Sequence, residues 1–405
     1  MKKCVLLTNE YPFRKGETFL ESEIQYLCES FDQVIIIATN PKRNDAPTRR
    51  VPANATLIPL QGMTSRARYP VYSIRGLFGR FSYFRVREKG ISHILLSLYS
   101  RGRAKAIAGK AIRSLKGIIS ENDEVVVYSY WFTYLAQAAC MIREKLGKTA
   151  VKCVSRAHGY DIYWDRNSMG YMPFQEETIR LLNGVYPCSA DGTVYLQNLY
   201  PLEKAKIHTS RLGTVDYGHG KYDVSDCITF ATCCYFKPLK RMPLFAKAFV
   251  KLAQKYNCRW ICIGDGDELS TVREIVREGK AEERVFFLGS LKNEDLMKFY
   301  KNNPVSYFCN VSTTEGLPVS VMEALSFGIP VIATDVGGTR EIVDSGVGRL
   351  IQADLTEEVL CKEMEKEILL SADKYQEKRV QARARWMERV SAERNYRNWM
   401  RILTE

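Results

Sequence analysis

The sequence has 405 residues, of which 46% are hydrophobic and 26% charged, and its formal net charge is +13. That length is enough for two α/β domains with separate cores, and the lack of an apolar run of about 18 residues argues against a membrane-spanning helix. Twelve cysteines include no Cys-x-x-Cys pair, and many lie in apolar runs. We therefore expect buried, reduced thiols rather than a disulfide framework or a zinc site.

The N-terminus is predicted to begin with a strand, Val5 to Thr8. Its apolar run is too short for a secretion signal, so we expect a cytoplasmic protein. The loop that follows, residues 9–19, should lie at the carboxyl end of a parallel strand, where α/β sheets bind ligands. Glu17 or Thr18 is expected to cap the helix after this loop.

Residues 66–116 carry much of the positive charge. This stretch contains thirteen Lys or Arg residues and one acid, Glu88, interleaved with aromatic side chains. Basic residues beside apolar ones suit an anionic membrane surface or a nucleic acid. A solvated pair of basic helices has the same composition, so the sequence leaves three interpretations open.

Two clean apolar strands are predicted next, Glu124 to Tyr128 and Ala150 to Ser155. The second ends in the letters R-A-H-G-Y-D, which place Arg156, His158 and Asp161 at a strand's carboxyl end. An isolated histidine is more often structural than catalytic. Asp161 can orient His158 or cap the next helix.

A domain boundary is predicted after residue 213. Strands at Gly184 to Ser189 and Ile207 to Leu212 precede a polar stretch, Tyr217 to Asp226, which has the composition of a linker. We predict an N-terminal domain over residues 1–213 and a second domain over residues 214–383.

Two glycine loops follow strands of the second domain. Trp260 to Ile263 leads into Gly264-Asp265-Gly266, and Val285 to Leu288 leads into Gly289-Ser290-Leu291. The first loop lacks the third glycine of a dinucleotide-binding fingerprint and does not follow the first strand of its domain, so we reject that function. Both loops also suit ordinary βα turns.

The stretch Tyr307 to Val343 is predicted to form a β-α-β-α unit. A short apolar strand ends before Glu315-Gly316-Leu317-Pro318, whose proline suits the first turn of a helix from Val319 to Phe327. Val331 to Thr334 is the next strand, and a tight turn leads to a second helix near Thr339. This alternation predicts a parallel sheet with a ligand crevice at the carboxyl ends of its strands.

Two glutamates of this stretch, Glu315 and Glu323, have seven residues between them. If the whole span is helical, about 12 Å along the axis separates them, so they cannot share a metal ion or a proton. They can hold two ends of one long ligand while the amides of Gly316 and Leu317 face an anion. Two solvated glutamates on a surface helix are the alternative.

The run E-G-L-P-x-S-x-x-E-A-L-x-x-G-x-P-V-I-A-T-x-x-G-G resembles the E-x7-E signature of family 4 retaining glycosyltransferases, which have the GT-B fold. The motifs Y-P-x-x-x-x-E-T-F-x-x-x-E-I and Y-S-Y-W are similar to the branch that builds exopolysaccharide, capsule or O-antigen, and R-x-H-G-x-D is similar to an N-domain motif of the family. The resemblance implies an α/β protein of two Rossmann-like domains facing across a cleft, with residues 384–405 packing back on the N-terminal domain.

The resemblance implies a donor site in the second domain and an acceptor site in the first. In the family, the residues that match Glu315 and His158 contact the donor sugar. The residue that matches Glu323 contacts the ribose. The expected catalytic residues are His158, Lys240 and Glu315. The expected donor-binding residues are Gly16, Lys240, Arg241, Gly264, Gly266, Gly289, Ser290, Leu291, Glu315, Gly316, Leu317, Pro318, Val319 and Glu323. The expected acceptor-binding residues are Glu17, Thr18, Tyr130, Trp131, Arg156 and Asp161.

The diphosphate loop departs from the family's pattern, which is like G-R-L-x-P-x-K-G. Lys240 matches the lysine, whereas Tyr235 stands at the arginine position and Arg241 at the second glycine. Arg241 or Lys237 is a candidate substitute, because a departing diphosphate needs its charge stabilised. The missing arginine also favours an alternative, a non-catalytic GT-B protein that binds nucleotides or carbohydrates.

The resemblance implies a metal-independent hexosyltransferase that acts with retention on a nucleotide-sugar donor and a saccharide or polyprenyl-linked acceptor, in surface polysaccharide synthesis. It implies no cofactor, because the nucleotide sugar is a substrate, and a UDP-sugar is favoured over a GDP-sugar. Peripheral contact with the inner membrane face through residues 66–116 is expected, and no nucleic acid. A basic nucleic-acid binder is the weaker alternative.

Overall fold

The chain folds into two units, each built on a parallel β-sheet. The computed structural model describes residues 1–14, 16–42, 44–63, 68–78, 90–167, 169–221 and 227–405. The first unit comprises Met1–Arg211 with Tyr396–Glu405, and the second comprises Leu212–Asn395. Parts of the predicted basic stretch, 66–116, and of the predicted linker, 217–226, lie outside the described residues.

Six parallel strands form the sheet of the first unit in the described part of the chain. They are β1 (Lys2–Thr8), β2 (Gln33–Ala38), β3 (Ala55–Pro59), β4 (Glu124–Ser129), β5 (Ala150–Ala157) and β6 (Gly184–Pro187). Their spatial order is β3-β2-β1-β4-β5-β6. In the centre, Val5 of β1 lies beside Ile35 of β2 and Val127 of β4. All three are fully buried, which explains why the strands read as apolar runs.

Helices connect and cover these strands. They are α1 (Leu20–Ser30), α2 (Tyr69–Leu77), α3 (Ile91–Leu115), α4 (Tyr134–Leu146), α5 (Gln175–Leu181) and α6 (Ala190–Leu199). The helices α2 and α3 cross very closely, since a Cβ at Gly102 would lie 1.7 Å from the carbonyl oxygen of Tyr72. Only glycine permits this approach of two backbones.

The second unit repeats the arrangement. Its described strands are β7 (Ile228–Cys233), β8 (Cys258–Ile263), β9 (Val285–Gly289), β10 (Tyr307–Asn310), β11 (Val331–Thr334) and β12 (Gly348–Ile351), in the spatial order β12-β11-β10-β7-β8-β9. Its helices are α7 (Met242–Ala253), α8 (Leu269–Glu278), α9 (Asn293–Asn302), α10 (Val319–Ser326), α11 (Glu357–Ile368) and α12 (Ala372–Arg389). The last helix, α13 (Ala392–Thr404), begins in this unit and ends in the first.

Each sheet has one point where the strand order reverses. In the first unit the reversal lies between β1 and β4, and in the second between β7 and β10. Loops at the carboxyl ends of the strands on either side of such a reversal form the ligand crevice of doubly wound sheets. Most of the predicted site residues come from these four loops and from the loop after β5, which pairs with β4.

The prediction of two Rossmann-like α/β domains is confirmed. Two local predictions are wrong. Residues 207–212 do not form a strand. Within this segment, Ile207 alone pairs with β6, through an isolated bridge to Val185. The predicted helix near Thr339 is a short 3₁₀ turn, Gly337–Glu341, which is typical of connectors.

Candidate functional site

A lysine and a glutamate meet at the strand-order reversal of the second unit. Lys240 closes the short helical turn after β7, and Glu315 lies in the loop after β10. Lys240 Nζ lies 2.6 Å from Oε1 of Glu315, and the same oxygen accepts a hydrogen bond from Asn310 Nδ2 at 3.2 Å. Both side chains of the ion pair are partly exposed, so a ligand can reach a cation suited to phosphate and a carboxylate suited to hydroxyls.

Backbone hydrogen bonds hold the loops that carry this pair. The amide of Thr313 donates to the carbonyl of Leu239 at 2.8 Å, which joins the loop after β10 to the Lys240 turn. The amide of Gly338 donates to the carbonyl of Gly316 at 2.7 Å, which joins the same loop to the one after β11. The loop that carries Glu315 is therefore held by hydrogen bonds to the Lys240 turn and to the loop after β11.

The start of α10 offers backbone donors next to Glu315. The helix begins at Val319, directly after Pro318. Within the described residues, the amides of Gly316 and Leu317 donate to no protein acceptor. Free N–H groups at a helix start attract anions. The helix begins at Val319, as the sequence predicts, so Glu315 precedes it and Glu323 lies within it.

Glu323 lies on the buried side of α10. Glu323 is 8% exposed, and burial raises the pKa of its carboxyl to about 7. Asn293, the first residue of α9, donates from Nδ2 to Oε1 of Glu323 at 2.6 Å and opposes part of this rise in pKa. Glu315 is thus held beside a cation, whereas Glu323 is held by a neutral amide.

Arg241 is committed to the backbone. Its Nε donates to the carbonyl of Val311 at 2.6 Å, and its other two nitrogens donate to Ser312 at 3.1 Å and Ala353 at 2.8 Å. These three bonds use three of the five N–H groups of the guanidinium and fix its direction, and a contact of Arg241 with the donor stays a prediction. Lys237, the other candidate, is exposed.

The glycine loop after β8 packs against the Lys240 loop. Gly266 has φ +150°, and a Cβ there would lie 2.6 Å from the amide nitrogen of Phe236, a position that only glycine tolerates. The amide of Gly264 donates to the carbonyl of Gly289 at 2.8 Å and ties the two glycine loops together. Donor contacts by Gly264, Gly266, Gly289, Ser290 and Leu291 stay predictions.

In the first unit, Glu17 organises the loop after β1. Its carboxylate accepts backbone N–H groups from Asn9 at 2.6 Å, Glu10 at 2.8 Å and Tyr11 at 2.6 Å, and the indole N–H of Trp131 at 2.6 Å. Four donors fill the acceptor positions of an ionised carboxylate. The structure therefore gives Glu17 a structural role rather than the predicted contact with an acceptor.

The predicted helix cap by Glu17 or Thr18 is wrong. The helix α1 begins at Leu20 without a side-chain cap, because the Glu17 carboxylate points back to the loop, and Thr18 is exposed. Gly16 lies against Glu10, since a Cβ at Gly16 would lie 2.6 Å from Oε2 of that residue. Contacts of Gly16 with donor and of Thr18 with acceptor stay predictions.

His158 lies in the aromatic corner of the first unit. The centroid of its ring is 4.6 Å from that of Trp131 and 4.9 Å from that of Tyr130. Both ring nitrogens are buried and have no hydrogen-bond partner among the described residues. Buried polar atoms normally have partners. Nδ1 lies 3.8 Å from Oδ2 of Asp161, so Nε2 is the nitrogen that is available to a ligand hydroxyl. Asp161 is fully buried and accepts the backbone N–H groups of His158 and Phe132 at 2.5 and 2.7 Å, which fixes the corner.

Arg156 does not line an open site. It is fully buried, and its Nε lies 3.2 Å from Oε2 of Glu23, which is also fully buried. Its guanidinium also lies 4.6 Å from the ring centroid of Trp399 on α13, and one nitrogen donates to the carbonyl of Ser210 at 2.7 Å. The acceptor contact predicted for Arg156 is replaced by a structural ion pair.

Comparison with known proteins identifies the second unit. The family model described as "Glycosyl transferases group 1" matches residues 230–386. The second unit is a glycosyltransferase group 1 domain. This match confirms the family resemblance of the sequence at the level of a GT-B, family 4-type glycosyltransferase.

Individual relatives match parts of the chain. N-acetyl-alpha-D-glucosaminyl L-malate synthase from Bacillus anthracis is 29% identical over 111 residues, which cover 27% of this chain and 28% of the relative. The O-antigen biosynthesis glycosyltransferase WbnH from Escherichia coli is 30% identical over 148 residues, which cover 36% of this chain and 39% of the relative. The chain thus spans well under half the length of these curated relatives.

The solved structures match the whole fold. The Anabaena protein HepE, solved in complex with UDP, superposes with a TM-score of 0.68 at 14% identity and covers the full length of both chains. This likeness confirms the GT-B fold. None of the helices described is both long and apolar enough to cross a membrane, and the described residues contain no group of three or more His, Cys, Asp or Glu placed to hold a metal ion.

Two residues of the glycosyltransferase domain were missed from the sequence. Asn310 ends β10 and donates to Glu315, and Asn293 begins α9 and donates to Glu323. An asparagine at a strand end or a helix start usually indicates a turn or a cap. The sequence therefore gave no reason to pair either asparagine with a glutamate. Only the contacts of the folded chain identify these two asparagines as partners of the glutamates.

Proposed function

We propose that the chain is a retaining glycosyltransferase. It moves a sugar from a nucleoside-diphosphate sugar to an acceptor hydroxyl. The bond from the anomeric carbon to the leaving phosphate oxygen breaks, and a bond from the same carbon to the acceptor oxygen forms on the same face. The acceptor proton passes to the leaving diphosphate. The proposed reaction uses no covalent intermediate on a side chain and no metal ion.

The contact between Lys240 and Glu315 carries this proposal. In this proposal Lys240 stabilises the negative charge that develops on the departing diphosphate, and the amides of Gly316 and Leu317, which have no protein acceptor among the described residues, add donors for the same charge. Glu315 accepts hydroxyls of the donor sugar. His158 supplies a buried ring whose Nε2 has no hydrogen-bond partner among the described residues and serves a sugar hydroxyl.

The donor is a UDP-sugar. The support is indirect: HepE, which shares the fold, was solved in complex with UDP. Tyr235 stands where the family has an arginine and is 53% exposed, so Lys240 is the cation on which the diphosphate depends.

A panel of UDP- and GDP-sugars tests the activity. The purified chain should release UDP from one of these donors when it receives a suitable acceptor, without added metal and in the presence of EDTA. The anomeric proton coupling of the product, measured by NMR, should match that of the donor. Glu315→Ala should abolish transfer, whereas Glu274→Ala on the exposed side of α8 should leave it unchanged; near-normal turnover by Glu315→Ala contradicts the proposal.

The acceptor is a lipid-linked saccharide of surface polysaccharide synthesis, and the first unit meets the membrane that holds it. The name of the relative WbnH supports this acceptor class. Val71, Ile74 and Leu77 recur every three residues on α2 and are 46%, 57% and 58% exposed, so they form one apolar face. Phe78, directly after α2, is 72% exposed.

Basic side chains of α3 lie near the arginines of α2. Lys110 and Arg113 of α3 line a shallow cavity of about 400 Å³ with the end of β3. Burial lowers the pKa of Lys110, and the nearby charges of Arg68, Arg113 and Arg75 lower it further. Crowded cations beside exposed apolar side chains suit the headgroups and acyl chains of an anionic membrane.

A vesicle assay tests the membrane contact. The chain should sediment with phosphatidylglycerol vesicles and not with phosphatidylcholine vesicles. Ile74→Ser combined with Leu77→Ser should reduce sedimentation, whereas Leu202→Ser, at a site 85% exposed elsewhere in the first unit, should not. Equal binding by all variants contradicts the proposal. A salt-sensitive shift with RNA and no vesicle binding would favour the nucleic-acid alternative.

A non-catalytic binding protein is the second candidate function. It is favoured by Tyr235 at the family's arginine position and by an Arg241 guanidinium that already donates three hydrogen bonds to the backbone. Such a protein would bind UDP with no turnover. Slow hydrolysis of a UDP-sugar that is lost in Lys240→Gln would exclude it.

A further inference from the structure

Glu323 has an unusual partner. Its Oε1 accepts a hydrogen bond from Asn293 Nδ2 at 2.6 Å, and its Oε2 accepts none from the described residues. No lysine, arginine or histidine of the described chain forms an ion pair with it. A carboxylate that is buried without a cation is normally costly. Its one hydrogen bond therefore has a large influence on its charge and its direction.

Asn293 is well placed to act on Glu323 without supporting the fold. It is the first residue of α9, follows the loop of Gly289 to Lys292, and is itself exposed. An amide donor does not titrate, so it holds one carboxylate oxygen at every pH. The other oxygen is then left to accept hydroxyl groups of a ligand. Replacing Asn293 should change the carboxylate and little else.

We propose that Asn293 is a positioning residue, which holds the carboxylate of Glu323 so that it accepts the ribose hydroxyls of a bound nucleoside diphosphate. The ribose assignment rests on the proposed function. The hydrogen bond itself does not, and it can be tested without any ligand.

The charge of Glu323 gives the test its sensitivity. Burial raises the pKa of this carboxyl to about 7, and the bond from Asn293 opposes the rise. Among the described residues, the titratable groups that face it are Cys233 on β7 and Tyr300 on α9, and burial raises the pKa of both. Both are neutral near pH 7, so the charge at this site belongs to Glu323. Loss of the Asn293 bond therefore moves the pKa of Glu323 upwards.

The first measurement is a titration by NMR. The chain is labelled with ¹³C at the glutamate side-chain carboxyl, and the signal of Glu323 is the one missing in Glu323→Gln. Its midpoint should lie near 7 in the parent chain and higher in Asn293→Ala, because only the amide bond has been removed. Asn293→Gln keeps an amide and should recover part of the shift. Asn302→Ala, at the exposed end of the same helix, is the matched control.

The second measurement is UDP affinity as a function of pH. If the midpoint of Glu323 rises by about one pH unit, its ionised fraction near neutral pH falls about fivefold, and UDP affinity should fall in proportion. The affinity of Asn293→Ala should approach that of the parent chain at alkaline pH, where both carboxylates are ionised, and the deficit that persists there measures the lost orientation of the carboxylate. With a UDP-sugar, KM should rise while kcat changes little.

The outcomes separate the two levels of the proposal. An unchanged midpoint in Asn293→Ala overturns the positioning role. A shifted midpoint with UDP affinity that does not follow it overturns the ribose assignment. Failure of the parent chain to bind UDP at any pH overturns that assignment together with the proposed function, whereas a shifted midpoint still supports the link between Asn293 and Glu323.

Discussion

The indole N–H of Trp131 donates to Oε1 of Glu17 at 2.6 Å, which joins the loop after β4 to the loop after β1. These are the two loops at the strand-order reversal of the first unit. The rings of Trp131 and His158 are also in contact. Glu17 therefore acts on the site indirectly, because it fixes the indole against which the His158 ring rests.

Glu17→Gln should destabilise the first unit. A glutamine oxygen cannot accept all four N–H groups, and its own amide would face donors. Lost hydrogen bonds to a buried charged group predict a decrease of about 2–4 kcal/mol in the free energy of unfolding, measured by urea denaturation with tryptophan fluorescence. Thr18 is exposed, so Thr18→Ala should change the free energy of unfolding by less than about 0.5 kcal/mol. Equal stability of Glu17→Gln and the parent chain would show that the four bonds do not hold the loop.

Arg156→Met should destabilise the first unit, with no specific effect on acceptor binding. The change leaves Glu23 fully buried without its cation, and breaking a buried pair costs about 3–5 kcal/mol. Adding Glu23→Gln should recover part of this loss, since the new side chain can still accept from Tyr128 and Trp399. The double variant and both single variants are compared by chemical denaturation. Additive losses in the double variant would contradict a paired role.

Glu323→Gln should remove a pH dependence of stability in the second unit. The pKa of Glu323 is raised from about 4.5 to about 7 in the folded chain, so the folded state keeps a proton that the unfolded state releases. Stability therefore falls as pH rises from about 4.5 to about 7 and is constant above. The loss is on the order of 3 kcal/mol. Urea denaturation at both ends of this range measures it, and the same slope in Glu323→Gln would contradict the assignment.

The sequence predicted best what depends on neighbouring residues. Apolar runs bounded by glycine and proline gave strands such as β11 at Val331–Thr334, and the spacing of Glu315 and Glu323 indicated the family. Long-range partners were the main failures. Arg156 and Glu17 were assigned to an acceptor because the motifs that contain them resemble those of the family. Their burial depends on Trp399 and Trp131, far away along the chain, which no local pattern predicts.

The last prediction concerns the charge of the diphosphate loop. Lys240→Gln should lower kcat with a UDP-sugar by about 10²- to 10³-fold, because removal of one donor that stabilises developing negative charge costs about 3–4 kcal/mol of transition-state stabilisation. Lys240 is partly exposed and pairs with Glu315, so the variant should remain folded. Lys237→Gln is the matched control: it lies in the same loop, is exposed, and its ammonium lies 5.1 Å from the ring centroid of Tyr235. Initial rates of UDP release measure both variants. If Lys237→Gln is as slow as Lys240→Gln, the diphosphate depends on the total charge of the loop and not on the lysine that contacts Glu315.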